Sequence, residues 1–181
     1  MKKTYRKLPE YLGSPLTKWT INYRVHATRR MFKWKISSQD VNLLLNSGEV
    51  IEEYWEDFPL PSFLVNGLST AENPLHAVIG IEHDMMQLHV ITVYRPDHQK
   101  WSKGYTRRIM PWNVPSAETD KQGKGILERD HSTFVFKNVP AQICENCGEE
   151  YLSESINQKL LKTAEDAVNR GVDLELLRFA A

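Results

Sequence analysis

Two groups of residues have the types and spacing for chemistry. The first is Cys144-Glu145-Asn146-Cys147-Gly148, which holds the chain's 2 cysteines. Two thiolates on one tight turn can reach a single ion, and the glycine behind them lets the backbone reverse. A structural zinc takes four ligands, so Cys144 and Cys147 are candidate zinc ligands of an incomplete site. A redox role would need a thioredoxin-like βαβ context, and none surrounds the pair. The second group is His26-Ala27-Thr28-Arg29-Arg30. On a helix His26 shares a face with Arg29 and Arg30, so an imidazole and a guanidinium could face one phosphate. An ordinary surface histidine accounts for the same spacing.

A third candidate lies in Ile91-Thr92-Val93-Tyr94-Arg95-Pro96-Asp97. Strand alternation puts Thr92 and Tyr94 on one face, and Arg95 opens the following loop, where it could meet a substrate. A half-buried strand with its tyrosine at the sheet edge fits equally well. His76, in Leu75-His76-Ala77-Val78, reads as a satisfied core histidine. The acidic run Glu52-Glu53-Tyr54-Trp55-Glu56-Asp57 reads as a solvated strand face, not as a catalytic carboxylate pair.

Other chemistries lack their signatures. There is no Gly-rich phosphate loop, no G-x-S-x-G elbow and no H-E-x-x-H pair. What remains is a basic set of His, Arg and Tyr side chains, suited to metal-independent RNA cleavage. There a base activates the 2′-hydroxyl, cations stabilise the phosphorane and an acid protonates the leaving oxygen. No cofactor is expected for catalysis.

The elements that must position these groups follow from periodicity and punctuation. An amphipathic helix is expected near Tyr23–Trp34, and a second over about Ser38–Asn46. Ser37 would be the N-cap of the second, Asp40 would close the box, and Ile36 and Val41 would form the staple before Gly48 ends it. Strands are predicted at about Glu49–Phe58, Ser62–Leu68, Leu75–Glu82 and Leu88–Tyr94. Their separators are Pro59-Leu60-Pro61, a turn at Asn66-Gly67 and a turn at His83-Asp84. Beyond Arg108, Pro111, Pro115, Gly123 and Gly125 read as a linker or irregular arm. A strand over Ser132–Val139 follows, then the cysteine turn, then a helix capped by Ser153. That helix would present Ile156, Leu160, Leu161, Ala164 and Val168 on one face before Gly171. The expected class is α+β: a small antiparallel sheet with N-terminal helices, then a β-hairpin or zinc-ribbon-like arm and a C-terminal helix.

At 181 residues and 41% apolar content the chain can bury a core in one domain or two small ones. Lys and Arg total 23, as do Asp and Glu, but the balance is uneven. Residues 1–110 carry 15 basic against 11 acidic side chains, and residues 111–181 carry 8 against 12. The basic blocks at 1–35 and 98–110 could form a polyanion patch, or could be merely solvated. Leu8-Pro9-Glu10-Tyr11 interrupts any leader-like apolar stretch, and no run approaches membrane-spanning length. A cytoplasmic protein without membrane contact is therefore expected.

Several landmarks in order resemble a bacterial family. They are His26-Ala27-x-x-Arg30, Asp40-Val41, Gly48-Glu49-Val50-Ile51-Glu52-x-Tyr54, Leu75-His76 and Ile91-Thr92-Val93-Tyr94-x-Pro96-Asp97-x-x-x-Trp101. Over about residues 20–108 the chain resembles domain-of-unknown-function family 4258, whose members are considered relatives of RelE-like toxins that cut mRNA. The resemblance implies an endoribonuclease with His26 as base or acid, Arg30 and Arg95 on the phosphate, and Tyr94 as a positioning or acid group. Its partner would be RNA, namely mRNA, free or on the ribosome. A non-catalytic RNA- or protein-binding module is the alternative.

The back half resembles another family. Phe134-Val135-Phe136-Lys137-Asn138-Val139-Pro140-Ala141-Gln142-Ile143-Cys144-Glu145-Asn146-Cys147-Gly148-Glu149-Glu150-Tyr151-Leu152 is similar to the YgiT-type zinc finger of MqsA-like antitoxins. In that family an earlier C-P-x-C pair completes the zinc site. Here Val114-Pro115-Ser116-Ala117 stands in its place, which implies an incomplete knuckle unless His131 contributes or two chains pool their pairs as a homodimer. No room remains after Gly171 for a helix-turn-helix, so no operator DNA binding is expected. The two resemblances divide the chain into a toxin-like domain, residues 1–110, and an antitoxin-like domain, residues 111–181. Their opposite charges suit docking of the second onto the first within one chain.

Overall fold

In the computed structural model, residues 5–109, 125–143 and 150–179 are described. Cys144, Cys147, most of the expected linker and the Val114–Ala117 stretch lie outside them.

Local signals set the first elements. Helix α1 (Leu8–Leu12) has a proline in its first turn and ends on Gly13 at φ 65. Strand β1 spans Thr20–Arg24 and runs directly into α2 (Val25–Lys33). The predicted helix at Tyr23–Trp34 therefore loses its first two residues to a strand. Ile21 and Tyr23 alternate into the core, and a parallel partner strand holds them there. Helix α3 (Ser38–Ser47) has the expected capping box. The Asp40 amide donates to Ser37 Oγ at 3.1 Å, and the Ser37 amide donates to Asp40 Oδ2 at 2.8 Å. Ile36 and Val41 are both buried in the same cluster, as a staple requires.

Strands β2 (Glu49–Tyr54), β3 (Ser62–Leu68), β4 (Pro74–Glu82) and β5 (Gln87–Tyr94) form the expected antiparallel meander. The turn expected at Asn66-Gly67 is instead strand. Asn66 and Gly67 pair with His76 and Leu75, and the chain reverses over Ser69–Asn73. Gly67 is small for another reason: a Cβ there would sit 2.7 Å from Leu44 Cδ1 and 3.3 Å from the Gly48 Cα. Strands β6 (Ile126–Arg129), β7 (Ser132–Lys137), β8 (Gln142–Ile143) and β9 (Glu150–Ser153) follow, then α4 (Glu154–Asn169) and β10 (Leu174–Arg178). Ser153 caps α4 by accepting from the Ile156 amide at 3.4 Å.

Among the described residues these strands form two sheets, of order β2-β3-β4-β5-β1-β9-β8 and β10-β7-β6. β1 lies parallel to β5, and β10 parallel to β7, so the sheets are mixed where antiparallel pairing alone was expected. The class is α+β. The larger sheet takes strands from both sides of residue 110, since β9 pairs antiparallel with β1. Helix α4 joins the same body. Its Asn157 is fully buried, accepts the Thr28 hydroxyl at 2.7 Å and donates to Ser38 Oγ at 3.3 Å.

The large sheet has two unlike faces. One carries Val65, Ala77, Ile79, Leu88 and Val90 into a core shared with α1, α2 and α3. The other buries a smaller cluster, Ile51, Leu64 and Trp101, with Tyr54, Val78 and Tyr105 packed against it. The segment after β5 folds back over this second face as a small hairpin. Ser102 and Arg107 bond through their backbones at 2.8 Å, and Trp101 bridges to Arg108.

Candidate functional site

Beneath that hairpin is a buried polar network centred on His76. The histidine is fully buried on β4, and register brings Asn66 of β3 and Tyr94 of β5 to either side of it. Its Nε2 lies 2.9 Å from the Tyr105 carbonyl and 3.2 Å from Asn66 Oδ1, and Nδ1 lies 3.2 Å from Tyr94 Oη. A carbonyl can only accept, so Nε2 carries the proton and Nδ1 accepts from the Tyr94 hydroxyl. The Trp101 ring stands edge-on to the imidazole at 4.4 Å, and the Tyr94 ring at 5.3 Å.

Charge lies at the border of this network. Arg108 grips Glu52 with both arms, Nε at 2.9 Å and Nη2 at 3.1 Å, while its guanidinium lies 4.6 Å from the centre of the Trp101 ring. The Tyr54 hydroxyl also donates to Glu52. The expectation of a solvated acidic face is corrected at Glu52, whose side chain is only 25% exposed and fully engaged. Two residues along the strand, Tyr54 follows Glu52 onto the covered face, and the hairpin supplies the cation that balances it.

The surroundings set the protonation states. Burial pushes His76 down to about 4, against a partial upward pull from the Tyr105 carbonyl, so it is neutral at physiological pH. Burial pushes Tyr94 up to about 12, with Arg108 and Arg30 pulling down and Glu52 pushing up. Tyr54 is likewise pushed up to about 12, by burial and by its bond to Glu52. Burial would raise Glu52, but the bonds from Arg108 and Tyr54 outweigh it and hold the carboxyl below the usual range.

The residues picked from sequence fall around this network in different ways. Tyr94 is half-buried and belongs to it. Arg30 lies on α2, near enough for its charge to act on the Tyr94 hydroxyl. His26 is exposed in the first turn of α2, one helical turn before Arg30. That turn contains no acidic residue and no side-chain cap, and helix dipoles favour negative charge at such an end. Arg95 is exposed just beyond β5. Because β1 and β5 are parallel, their carboxyl ends and the start of α2 lie at one end of the sheet, which is where parallel strands commonly present ligand sites. His76 is the satisfied core histidine that its strand context predicted.

Spacing assigned no role to Arg108, Asn66, Trp101 or Tyr105. Trp101 stands among the landmarks of the resemblance, and Arg108 lies in a basic block, but no local pattern says that a hairpin folds over β4. Among the described residues no group of three or more His, Cys, Asp and Glu could hold a metal ion, and no helix is long and apolar enough to cross a membrane.

No curated protein and no solved structure matches the chain. Residues 23–95, from the end of β1 to the residue after β5, match the family model described as Domain of unknown function (DUF4258), so the match covers α2, Glu52, His76 and Tyr94 and stops short of the hairpin that seals them.

Proposed function

We propose that this end of the sheet binds RNA and cleaves it without a metal ion, as the toxin-like part of a toxin–antitoxin-type protein. The observation that carries the reading is the Tyr94 hydroxyl, pinned by His76 at the carboxyl end of β5 and within electrostatic reach of Arg30, one turn along α2 from His26. In the proposed reaction His26 takes the proton of a 2′-hydroxyl, and that oxygen attacks the adjacent phosphorus. Arg30 and Arg95 balance the charge that builds on the phosphate. Tyr94, which burial keeps protonated, suits the donor that protonates the departing 5′-oxygen and suits a base poorly. The products are a 2′,3′-cyclic phosphate and a free 5′-hydroxyl.

The C-terminal part fits this reading as an antitoxin-like ribbon acting in cis. β9 runs along β1 beside the start of α2, and Tyr151 of β9 pairs with Arg24. Cys144 and Cys147 would be two ligands of a structural zinc in that ribbon, with no part in catalysis. The test is RNA incubated in chelator with the full-length protein and with the His26→Ala and Arg30→Ala variants, the product ends being analysed. Cyclic phosphate ends that vanish in both variants support the reading, and undiminished cleavage by both removes these residues from the mechanism.

A second reading, a non-catalytic RNA- or protein-binding module, is favoured by one specific observation: the Tyr94 proton is committed to His76 in the ground state. Salt-dependent RNA binding without strand scission would establish it.

A further inference from the structure

We propose that a recess between α2, α3 and α4 binds a small phosphate ester with a flat, largely apolar body, of mononucleotide size. The recess has a volume of about 510 Å³ and lies past the carboxyl end of α2, away from His26. This is within the ~300–1,000 Å³ typical of small-molecule sites. Its floor is apolar: Met31, Phe32 and Ile36 are almost completely buried, and Leu161 closes one side. Lys35 and Lys162 stand exposed at its rim.

Arg129 makes the recess more than a groove between helices. It is only 4% exposed, its guanidinium lies 4.5 Å from the centre of the Phe32 ring, and it lines the recess. Its Nη1 meets Glu165 Oε2 at 2.6 Å, but the Glu165 side chain is 47% exposed and so balances the buried cation only in part. A guanidinium fork is shaped to hold a second anion, and an anionic group in the recess would complete it. Among the described residues that line the recess, Glu165 is the one acid, against Arg129 and two lysines. The first residues of α3, Ser38 and Gln39, also line it, but the Asp40 carboxylate already caps that helix end, so the positive charge of the recess comes from Arg129 and the lysines. Phosphate would thus meet Arg129 and the lysines, while a ring would lie on the apolar floor.

The proposal is independent of the RNA-cleavage reading. It is tested by calorimetric titration of the full-length protein with adenosine 5′-monophosphate, with adenosine, and with a 5′-phosphorylated trinucleotide. The monophosphate should bind saturably and adenosine at least about tenfold more weakly. The Lys35→Ala, Lys162→Ala double variant should weaken the monophosphate about tenfold at an unchanged melting temperature, since both side chains are exposed. Glu165→Gln, which frees the Arg129 fork, should tighten it. Whichever phosphorylated ligand binds more tightly assigns the source as a free nucleotide or an RNA end. Absence of saturable binding of either phosphorylated ligand up to about 10 mM, equal affinity for adenosine and its monophosphate, or indifference to the double variant would overturn the proposal.

Discussion

The floor under the hairpin and the rim at α2 use the same kinds of side chain for opposite ends. On the floor His76 has both ring nitrogens engaged, and Arg108 is spent on Glu52. On the rim His26 is exposed, and Arg30 is near enough for its charge to act on the Tyr94 hydroxyl. Burial accounts for the difference, because it removes the charged form of an imidazole and requires every polar atom to find a partner. A histidine on the floor therefore stabilises the fold as a neutral, hydrogen-bonded group, whereas one on the rim stays in contact with solvent.

Substitutions that separate stability from activity would sharpen or break that comparison. His76→Ala should have the largest effect on folding. It opens a cavity and strands the Tyr94 hydroxyl and the Tyr105 carbonyl, for a loss of about 3–4 kcal/mol in denaturant unfolding. On the rim His26→Ala should reduce cleavage about a hundredfold or more with the unfolding midpoint unchanged. If His26→Ala unfolded the protein and His76→Ala did not, the assignment of floor and rim would be reversed.

The next effect is on pH dependence. His76 is held at about 4 against 6.5 when unperturbed. As pH falls through that window the unfolded chain gains a proton that the folded chain does not. Stability should therefore fall with falling pH between about 6.5 and 4, by roughly 3 kcal/mol in total. A neutral His76→Gln variant should show a flatter profile there. Glu52, and Asp40 with its bonds from Thr70 and Ser37, are held low, so their contributions are lost only as pH drops further, through their depressed values. Arg108→Met leaves Glu52 half-buried without its cation and should cost about 1–3 kcal/mol, read by the same unfolding curves. The smallest effect on stability belongs to Arg95→Ala, within about 0.5 kcal/mol, while RNA affinity should drop and lose part of its salt dependence.

Much of this architecture could be read locally. Ser37, Asp40 and Gly48 delimit α3 because capping is settled within a few residues, and β3 and β5 are apolar-rich runs set off by turn-forming residues. The misreadings came where distant parts of the chain decide. Gly67 looks like a turn residue, but it is small because Leu44 and Gly48 press against it from elsewhere in the chain. Tyr23 fits a helical pattern but is held in a strand by β5 on one side and β9 on the other.

The candidate site divides in the same way. Sequence alone marked His26, Arg30, Tyr94 and Arg95, since residue type and helical or strand spacing are sufficient to nominate them. It also marked His76 as a core residue, since it sits among apolar neighbours on a central strand. Only the tertiary structure decided that Tyr94 donates to His76, that Arg108 neutralises Glu52 and that Trp101 and Tyr105 close the floor. Those contacts join residues up to 56 positions apart. They depend on strand register and on where one hairpin comes to rest, which no local pattern encodes.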